Sequence, residues 1–200
     1  MKLPKIDFSD DDLKPGTLVW NQVKGQVHKA LVEYGCFKAS FDKIPINLEK
    51  SMFESLRELF DLPLQTKVKN VSTEPYRGYI GQNPSVPLYE SMGIDDANIP
   101  HKVERFTQIL WPGSGNPTFC KTIQSYTEQL SELDQIIRRM VLESLGVEKY
   151  MDDHMNSTNY VLRVLKYTAP QSSETKLGVS AHTDQSIVTI LHQNQVNGLQ

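Results

Sequence analysis

The sequence has few of the features that mark secreted or membrane-bound proteins. Its 200 residues include only two cysteines, Cys36 and Cys120, which is too few for a disulfide framework. A disulfide between the two is conceivable, but we expect two reduced thiols. The N-terminus lacks the apolar stretch of a signal peptide, and no segment reaches the roughly 20 apolar residues of a membrane helix. We therefore expect a cytoplasmic protein with no membrane contact.

Positive charge is also scarce, and the lysines and arginines form no basic run. The formal net charge is −3, whereas binding to nucleic acid needs a basic surface. We therefore expect no nucleic-acid partner. Hydrophobic residues make up 38% of the chain and charged residues 22%, which is typical of a globular protein with a core of its own.

The apolar periodicity of the first three quarters of the chain predicts three helices. The first covers residues 17–34 and ends at Gly35 as its C-cap, and the second begins with Asn47 as its N-cap. The third and longest starts at Pro117 and stops at Gly146. Its apolar stripe could pair with a coiled-coil partner, but we expect it to pack on its own domain.

The remaining segments predict loops and strands. Residues 70–100 are rich in proline and glycine and predict a long loop. Alternating or β-branched runs predict short strands at residues 3–8, 36–40, 160–167, 178–181 and 187–191. The fold class is therefore α+β, with a helical region over residues 1–155 and a strand-rich region over residues 156–200.

The strongest chemical signal is the tripeptide His182-Thr183-Asp184. On an extended chain, residues two apart point to the same side, so the imidazole of His182 and the carboxylate of Asp184 can converge. Two histidines and one carboxylate form the facial triad of non-haem Fe(II) oxygenases. The tripeptide alone is weak evidence for a metal site, because a hydrogen-bonded turn at the end of a strand is the common alternative.

The segments around this tripeptide resemble the plant Fe(II)/2-oxoglutarate-dependent dioxygenase family. Matches occur in the same order along the whole chain, and those at 103–106 and 111–112 resemble the branch of the AOP glucosinolate dioxygenases and deoxypodophyllotoxin synthase. The matching segments are Leu3-Pro4-Lys5-Ile6-Asp7-Phe8, Gly35-Cys36-Phe37-Lys38, Leu59-Phe60-Asp61-Leu62-Pro63, Val103-Glu104-Arg105-Phe106, Trp111-Pro112 and Leu177-Gly178-Val179-Ser180-Ala181-His182-Thr183-Asp184.

This resemblance implies a double-stranded β-helix (jelly-roll) core behind the helical region. His182 and Asp184 would be two of the three iron ligands, and 2-oxoglutarate would be converted to succinate and CO2 while a small-molecule substrate is oxidised by dioxygen. Asp184 favours hydroxylation, desaturation or ring closure, because related halogenases lack this carboxylate. Ascorbate is the implied reductant, and the full-length protein is expected to be a monomer.

Three further side chains need a choice between functional and ordinary roles. Tyr167 corresponds to a tyrosine that contacts 2-oxoglutarate in the family, although the sequence Leu165-Lys166-Tyr167-Thr168 departs from the common Asn-Tyr-Tyr-Pro run. The alternative is a tyrosine packed at a sheet edge. Arg163 could face the substrate, but we expect it to pair with a surface acid. His192 is expected to be a partly exposed strand residue and not a metal ligand.

The resemblance also implies residues that this sequence does not include. The family's distal histidine and its Arg-x-Ser for 2-oxoglutarate would lie beyond Gln200, so we expect the 200-residue chain to be C-terminally incomplete and inactive alone. The alternative is a non-catalytic remnant that binds a partner or dimerises. The substrate cannot be derived from the sequence, because pocket residues are supplied by variable loops.

Overall fold

The computed structural model describes residues 2–170, 178–179, 181–184, 186–196 and 198. The chain divides into two compact units, each made of two stretches. Met1–Ile46 and Glu128–Thr158 form the first unit, and Asn47–Thr127 and Asn159–Gln200 form the second. The predicted boundary between residues 155 and 156 concerns the family's domains and stays a prediction.

The first helix, α1, has the predicted ends. It spans Leu18–Tyr34, and the hydroxyl of Thr17 accepts a hydrogen bond from the backbone N–H of Trp20. Gly35 adopts φ = +72° and its N–H donates to the carbonyl of Leu31, which is the left-handed C-cap that glycine favours. Residues spaced by three and four form the buried stripe: Trp20, Val23, Val27 and Ala30.

The second helix, α2, spans Ile46–Phe60, so the prediction that Asn47 is its N-cap is wrong. Asn47 lies inside the first turn. Pro45 fixes φ near the helical value and allows the helix to begin directly after it. The buried side chains of α2 include Met52, Leu59 and Phe60. A short helix, α3, follows at Leu64–Lys67.

Residues 70–100 are not one long loop, as the sequence had predicted. A buried strand, β3, covers Tyr89–Asp95, and a helix, α4, covers Pro100–Leu110. β3 forms because it pairs with a strand far along the chain, and proline and glycine at the ends of the segment hid this non-local pairing from local analysis. α4 begins with Pro100 and buries Val103, Phe106, Thr107 and Leu110.

The longest helix, α5, spans Pro117–Ser144, as predicted. The side chain of Asn116 accepts a hydrogen bond from the backbone N–H of Phe119, and Gly146 has φ = +67° just after the helix. Its apolar stripe packs within the chain, with these residues buried: Phe119, Ile123, Tyr126, Leu133, Ile137 and Met140. A 3-10 turn at Glu148–Tyr150 and a helix α6 at Met151–Asn156 follow.

The strands form two small sheets. In the first unit β1 (Lys5–Asp7) pairs in parallel with β2 (Lys38–Ser40). In the second unit β3 pairs antiparallel with β4 (Val161–Tyr167), from Tyr89 opposite Tyr167 to Asp95 opposite Val161. Helices with small sheets confirm the α+β class.

Two of the predicted strands are not found. Ile187–Leu191 is not a strand, and neither are Gly178, Val179 and Ala181, while Ser180 lies outside the described residues. A strand persists only when its backbone groups pair with a neighbour, and in the described part of the chain no other strand pairs with these segments. In the same residues, no helix is both long and apolar enough to cross a membrane.

Both cysteines are free in the structure, and their reduced state stays a prediction. Cys36 is exposed, and the sulfur of Cys120 lies 3.3 Å from the hydroxyl oxygen of Thr107.

Candidate active site

His182 and Asp184 lie side by side in the second unit. The imidazole Nε2 of His182 is 3.5 Å from Oδ1 of Asp184, and the two side chains are 59% and 51% exposed. The other carboxylate oxygen, Oδ2, accepts a hydrogen bond of 2.9 Å from the hydroxyl of Thr189. That hydroxyl is also 2.7 Å from the hydroxyl of Ser186. Thr189 therefore orients the Asp184 carboxylate so that Oδ1 faces the histidine.

The pair has the donor atoms and the spacing of two metal ligands. Adjacent ligands in an octahedral site with bonds of about 2.1 Å are about 3 Å apart. The observed separation of 3.5 Å needs only a small adjustment to fit. An imidazole nitrogen and a carboxylate oxygen suit Fe(II). In the described residues, no group of three or more potential ligands is assembled, so His182 and Asp184 stand together without a third potential ligand.

His192 is held in a separate cluster that sequence reasoning did not find. Its Nδ1 is hydrogen-bonded to the hydroxyl of Tyr126 on α5, and its Nε2 is 3.4 Å from Oε1 of Glu49 on α2. The ring of Phe53 packs edge-on at 5.4 Å. Burial, and then the charge of Glu49, raise the pKa of the Tyr126 phenol. These contacts attach the segment after Asp184 to two helices.

Tyr167 stands at the end of β4, where its ring lies 5.4 Å from that of Tyr89 on β3. Burial raises the pKa of the Tyr167 phenol, the neighbouring Tyr89 adds to this, and Arg163 opposes it. Gly178 lies against the ring, since a Cβ added to this glycine would be 2.6 Å from Cδ1 of Tyr167. Tyr167 therefore contacts the segment that leads to His182.

Among the described residues, Arg163 forms no ion pair with an acid, which differs from the expected pairing with a surface acid. Its guanidinium donates to the hydroxyl of Tyr89, and its Cζ lies 4.7 Å from the ring centre of Tyr76 and 5.7 Å from that of Tyr89. The side chain shares the face of β4 that carries Tyr167. The Arg163 guanidinium thus lies against the rings of Tyr76 and Tyr89, on the sheet face that also carries Tyr167, the residue predicted to contact 2-oxoglutarate.

Comparison with protein families places this geometry in context. Residues 3–91 match the family described as the N-terminal region of a non-haem dioxygenase in morphine synthesis, and residues 153–200 match the 2OG-Fe(II) oxygenase superfamily. The chain therefore belongs to the 2-oxoglutarate/Fe(II)-dependent dioxygenase family.

Curated relatives and solved structures agree with this membership. The chain is 53% identical, over its whole length, to the probable 2-oxoglutarate-dependent dioxygenase AOP1.2 of Arabidopsis thaliana, and it spans 62% of that relative's length. It is 46% identical to 2-oxoglutarate-dependent dioxygenase AOP2 of the same plant, over 92% of this chain and 42% of the relative.

Among solved structures, the Arabidopsis dioxygenase for auxin oxidation 1 in complex with 2-oxoglutarate superimposes with a TM-score of 0.77 at 25% identity. The superposition covers 91% of this chain and 64% of the other. The sequence-based resemblance to the family and to its AOP branch is thereby confirmed.

Proposed function

We propose that the full-length protein oxidises a plant small-molecule metabolite by hydroxylation, desaturation or ring closure, and converts 2-oxoglutarate and dioxygen to succinate and CO2. The observation that carries this proposal is the convergence of His182 and Asp184 in a chain of this family. The antiparallel pair of β3 and β4 is consistent with the start of a jelly-roll core, with residues 156–200 as the beginning of the catalytic domain.

His182 and Asp184 would hold Fe(II). Iron held there would supply the redox chemistry that couples decarboxylation of 2-oxoglutarate to oxidation of a C–H bond, with ascorbate as reductant. Thr189 keeps Oδ2 of Asp184 occupied, which leaves Oδ1 toward the histidine for the metal. We further propose a cytoplasmic monomer that takes a small-molecule substrate and binds neither nucleic acid nor membrane.

Tyr167 would donate a hydrogen bond from its phenol to a carboxylate of 2-oxoglutarate. Support comes from its position against Gly178, in the segment that leads to His182. Because a hydrogen bond to a charged group contributes about 1.5–3 kcal/mol, Tyr167→Phe should raise the KM for 2-oxoglutarate by about tenfold or more.

The test is succinate formation from 2-oxoglutarate with Fe(II). The 200-residue chain is compared with the polypeptide extended along its reading frame to the stop codon, and calorimetry with Mn(II) and 2-oxoglutarate measures binding without turnover. In the extended protein, His182→Ala and Asp184→Ala should abolish turnover and weaken Mn(II) binding by more than about tenfold. The control is His28→Ala, an exposed histidine of α1, which should change neither quantity. Unchanged Mn(II) binding in both site variants would refute the assignment.

A further inference from the structure

Arg163 is a partly buried cation with no anionic partner in the described residues. No carboxylate there lies within ion-pair distance of its guanidinium, and its Nε atom is buried without an acceptor. The only acid on the same face of β3 is Asp95, which Arg77 engages at 3.0 Å. A buried charge without an opposite charge is costly, so a site of this kind favours an anionic ligand.

The guanidinium is also held in a fixed position. The rings of Tyr76 and Tyr89 flank it, and the Tyr89 hydroxyl accepts one of its hydrogen bonds. Tyr76 has φ = +65°, a backbone conformation that a bulky residue rarely adopts and that such a contact must stabilise. A planar donor fixed in this way is suited to a carboxylate, which it can bind through two parallel hydrogen bonds.

A second polar group on the same sheet face lacks a partner. Ser91 lies opposite Leu165, one position along the sheet face from the pair formed by Gly93 and Arg163. Its hydroxyl is fully buried and makes no hydrogen bond within the described part of the chain. Within the described residues, Ser91 and Arg163 thus place two polar atoms without a hydrogen-bond partner on one sheet face, which is unusual in a folded protein.

From these contacts we propose that Arg163 binds a carboxylate of the oxidised substrate, so that the enzyme acts on organic anions with an apolar body. This inference rests on the proposed function. The same chemistry could serve 2-oxoglutarate, but the aromatic surface favours the substrate. Tyr76, whose ring lies 4.7 Å from the guanidinium, is 60% exposed, and a small dianion such as 2-oxoglutarate has little apolar surface to cover that ring.

The experiment uses two probes of equal shape, phenylacetate and its neutral analogue phenylacetamide. Their binding to the reading-frame-extended protein is titrated by ligand-observed NMR without iron, so the result does not depend on turnover. Phenylacetate should bind about tenfold or more tightly than phenylacetamide. Arg163→Gln should remove this preference, and Arg163→Lys should keep part of it, because a lysine retains the charge but not the planar fork.

The matched control is Lys166→Gln on the opposite face of β4, where the lysine contacts Asp61 at 3.4 Å in an exposed pair. It should leave the preference unchanged. If Arg163→Gln does not fold, Tyr76→Leu replaces it and should weaken phenylacetate binding several-fold by removing the ring over the guanidinium.

Three results would overturn the inference. The first is equal binding of both probes by the wild type, and the second is an unchanged preference for phenylacetate in Arg163→Gln. The third is an Arg163→Gln variant in which only the Mn(II)-dependent binding of 2-oxoglutarate is weakened, which would assign Arg163 to the co-substrate. Failure of the proposed function would show itself separately, as absent succinate formation while the preference for phenylacetate persists.

Discussion

Replacing Glu143 with glutamine should destabilise the first unit. The carboxylate of Glu143 on α5 accepts hydrogen bonds from three side chains on two helices, α1 and α5. Oε2 accepts hydrogen bonds from Nε1 of Trp20 at 2.8 Å and Nζ of Lys24 at 3.1 Å, and Oε1 accepts one from Nε of Arg139 at 3.0 Å. The Trp20 side chain is almost fully buried, so its indole N–H has no access to water as a substitute acceptor.

The magnitude follows from what a glutamine can present at this position. It has one carbonyl oxygen, so either Arg139 loses its acceptor or Trp20 and Lys24 both do. A hydrogen bond to a charged group contributes about 1.5–3 kcal/mol, and the Glu143 side chain is only 18% exposed. We expect Glu143→Gln to lower the free energy of unfolding by about 2 kcal/mol, which corresponds to a Tm lower by about 4–8 °C.

The pH dependence gives a second test. Burial opposes ionisation of Glu143, but hydrogen bonds from Trp20, Arg139 and Lys24 outweigh it and lower the pKa of the carboxyl below its ordinary value of 4.5. A group with a depressed pKa stabilises the fold above its unfolded pKa, and this stabilisation is lost as the pH falls through the folded pKa. The difference between wild type and Glu143→Gln should therefore be full at pH 7 and shrink below about pH 4.5.

Urea denaturation followed by tryptophan fluorescence measures the effect. The protein has two tryptophans, and Trp111→Phe leaves Trp20 as the reporter of the first unit. The control is Glu128→Gln on the same helix, an exposed residue for which about 0.5 kcal/mol or less is expected. The stabilising role of Glu143 is refuted if Glu143→Gln lowers the free energy of unfolding no more than this control does. It is also refuted if the difference in free energy of unfolding between wild type and Glu143→Gln stays constant down to pH 3.

Three further substitutions test the packing of the two units, each considered by itself. Gly93→Ala should destabilise the protein by about 1–3 kcal/mol, because the new Cβ would lie 2.6 Å from the carbonyl oxygen of Arg77. Gly25→Ala, in open space on α1, should stabilise it slightly. The Tm measured by thermal unfolding should therefore fall for Gly93→Ala and rise for Gly25→Ala. Asp134→Ala should cost about 3–5 kcal/mol in urea denaturation, because it removes the carboxylate that binds the buried Arg138 at 2.6 Å, and a loss under 1 kcal/mol would contradict this account.

Local signals explain which parts of the fold were predictable. α1 and α5 have cap residues and apolar stripes within their own sequence, so Thr17, Gly35 and Pro117 marked their ends correctly. β3 was missed because it is stabilised by pairing with β4, far along the chain, and because prolines flank it and Gly93 lies within it. Conversely, the run at 187–191 has strand-forming residues, but no pairing strand exists for it in the described residues, so propensity alone misled.

The same distinction applies to the candidate site. His182 and Asp184 could be found from sequence because their relation is local, two residues apart on one segment. The environment of Arg163 could not be found in this way, since Tyr76 and Tyr89 come from other parts of the chain, and an arginine on a strand ordinarily finds an acid. A short-range motif thus predicts the candidate metal pair, whereas the surroundings of Arg163 that we propose to recognise a substrate are assembled by β-pairing and by a loop residue with positive φ. The proposed role of Arg163 in substrate selection therefore depends on tertiary contacts, and its test must probe Arg163 in the folded protein.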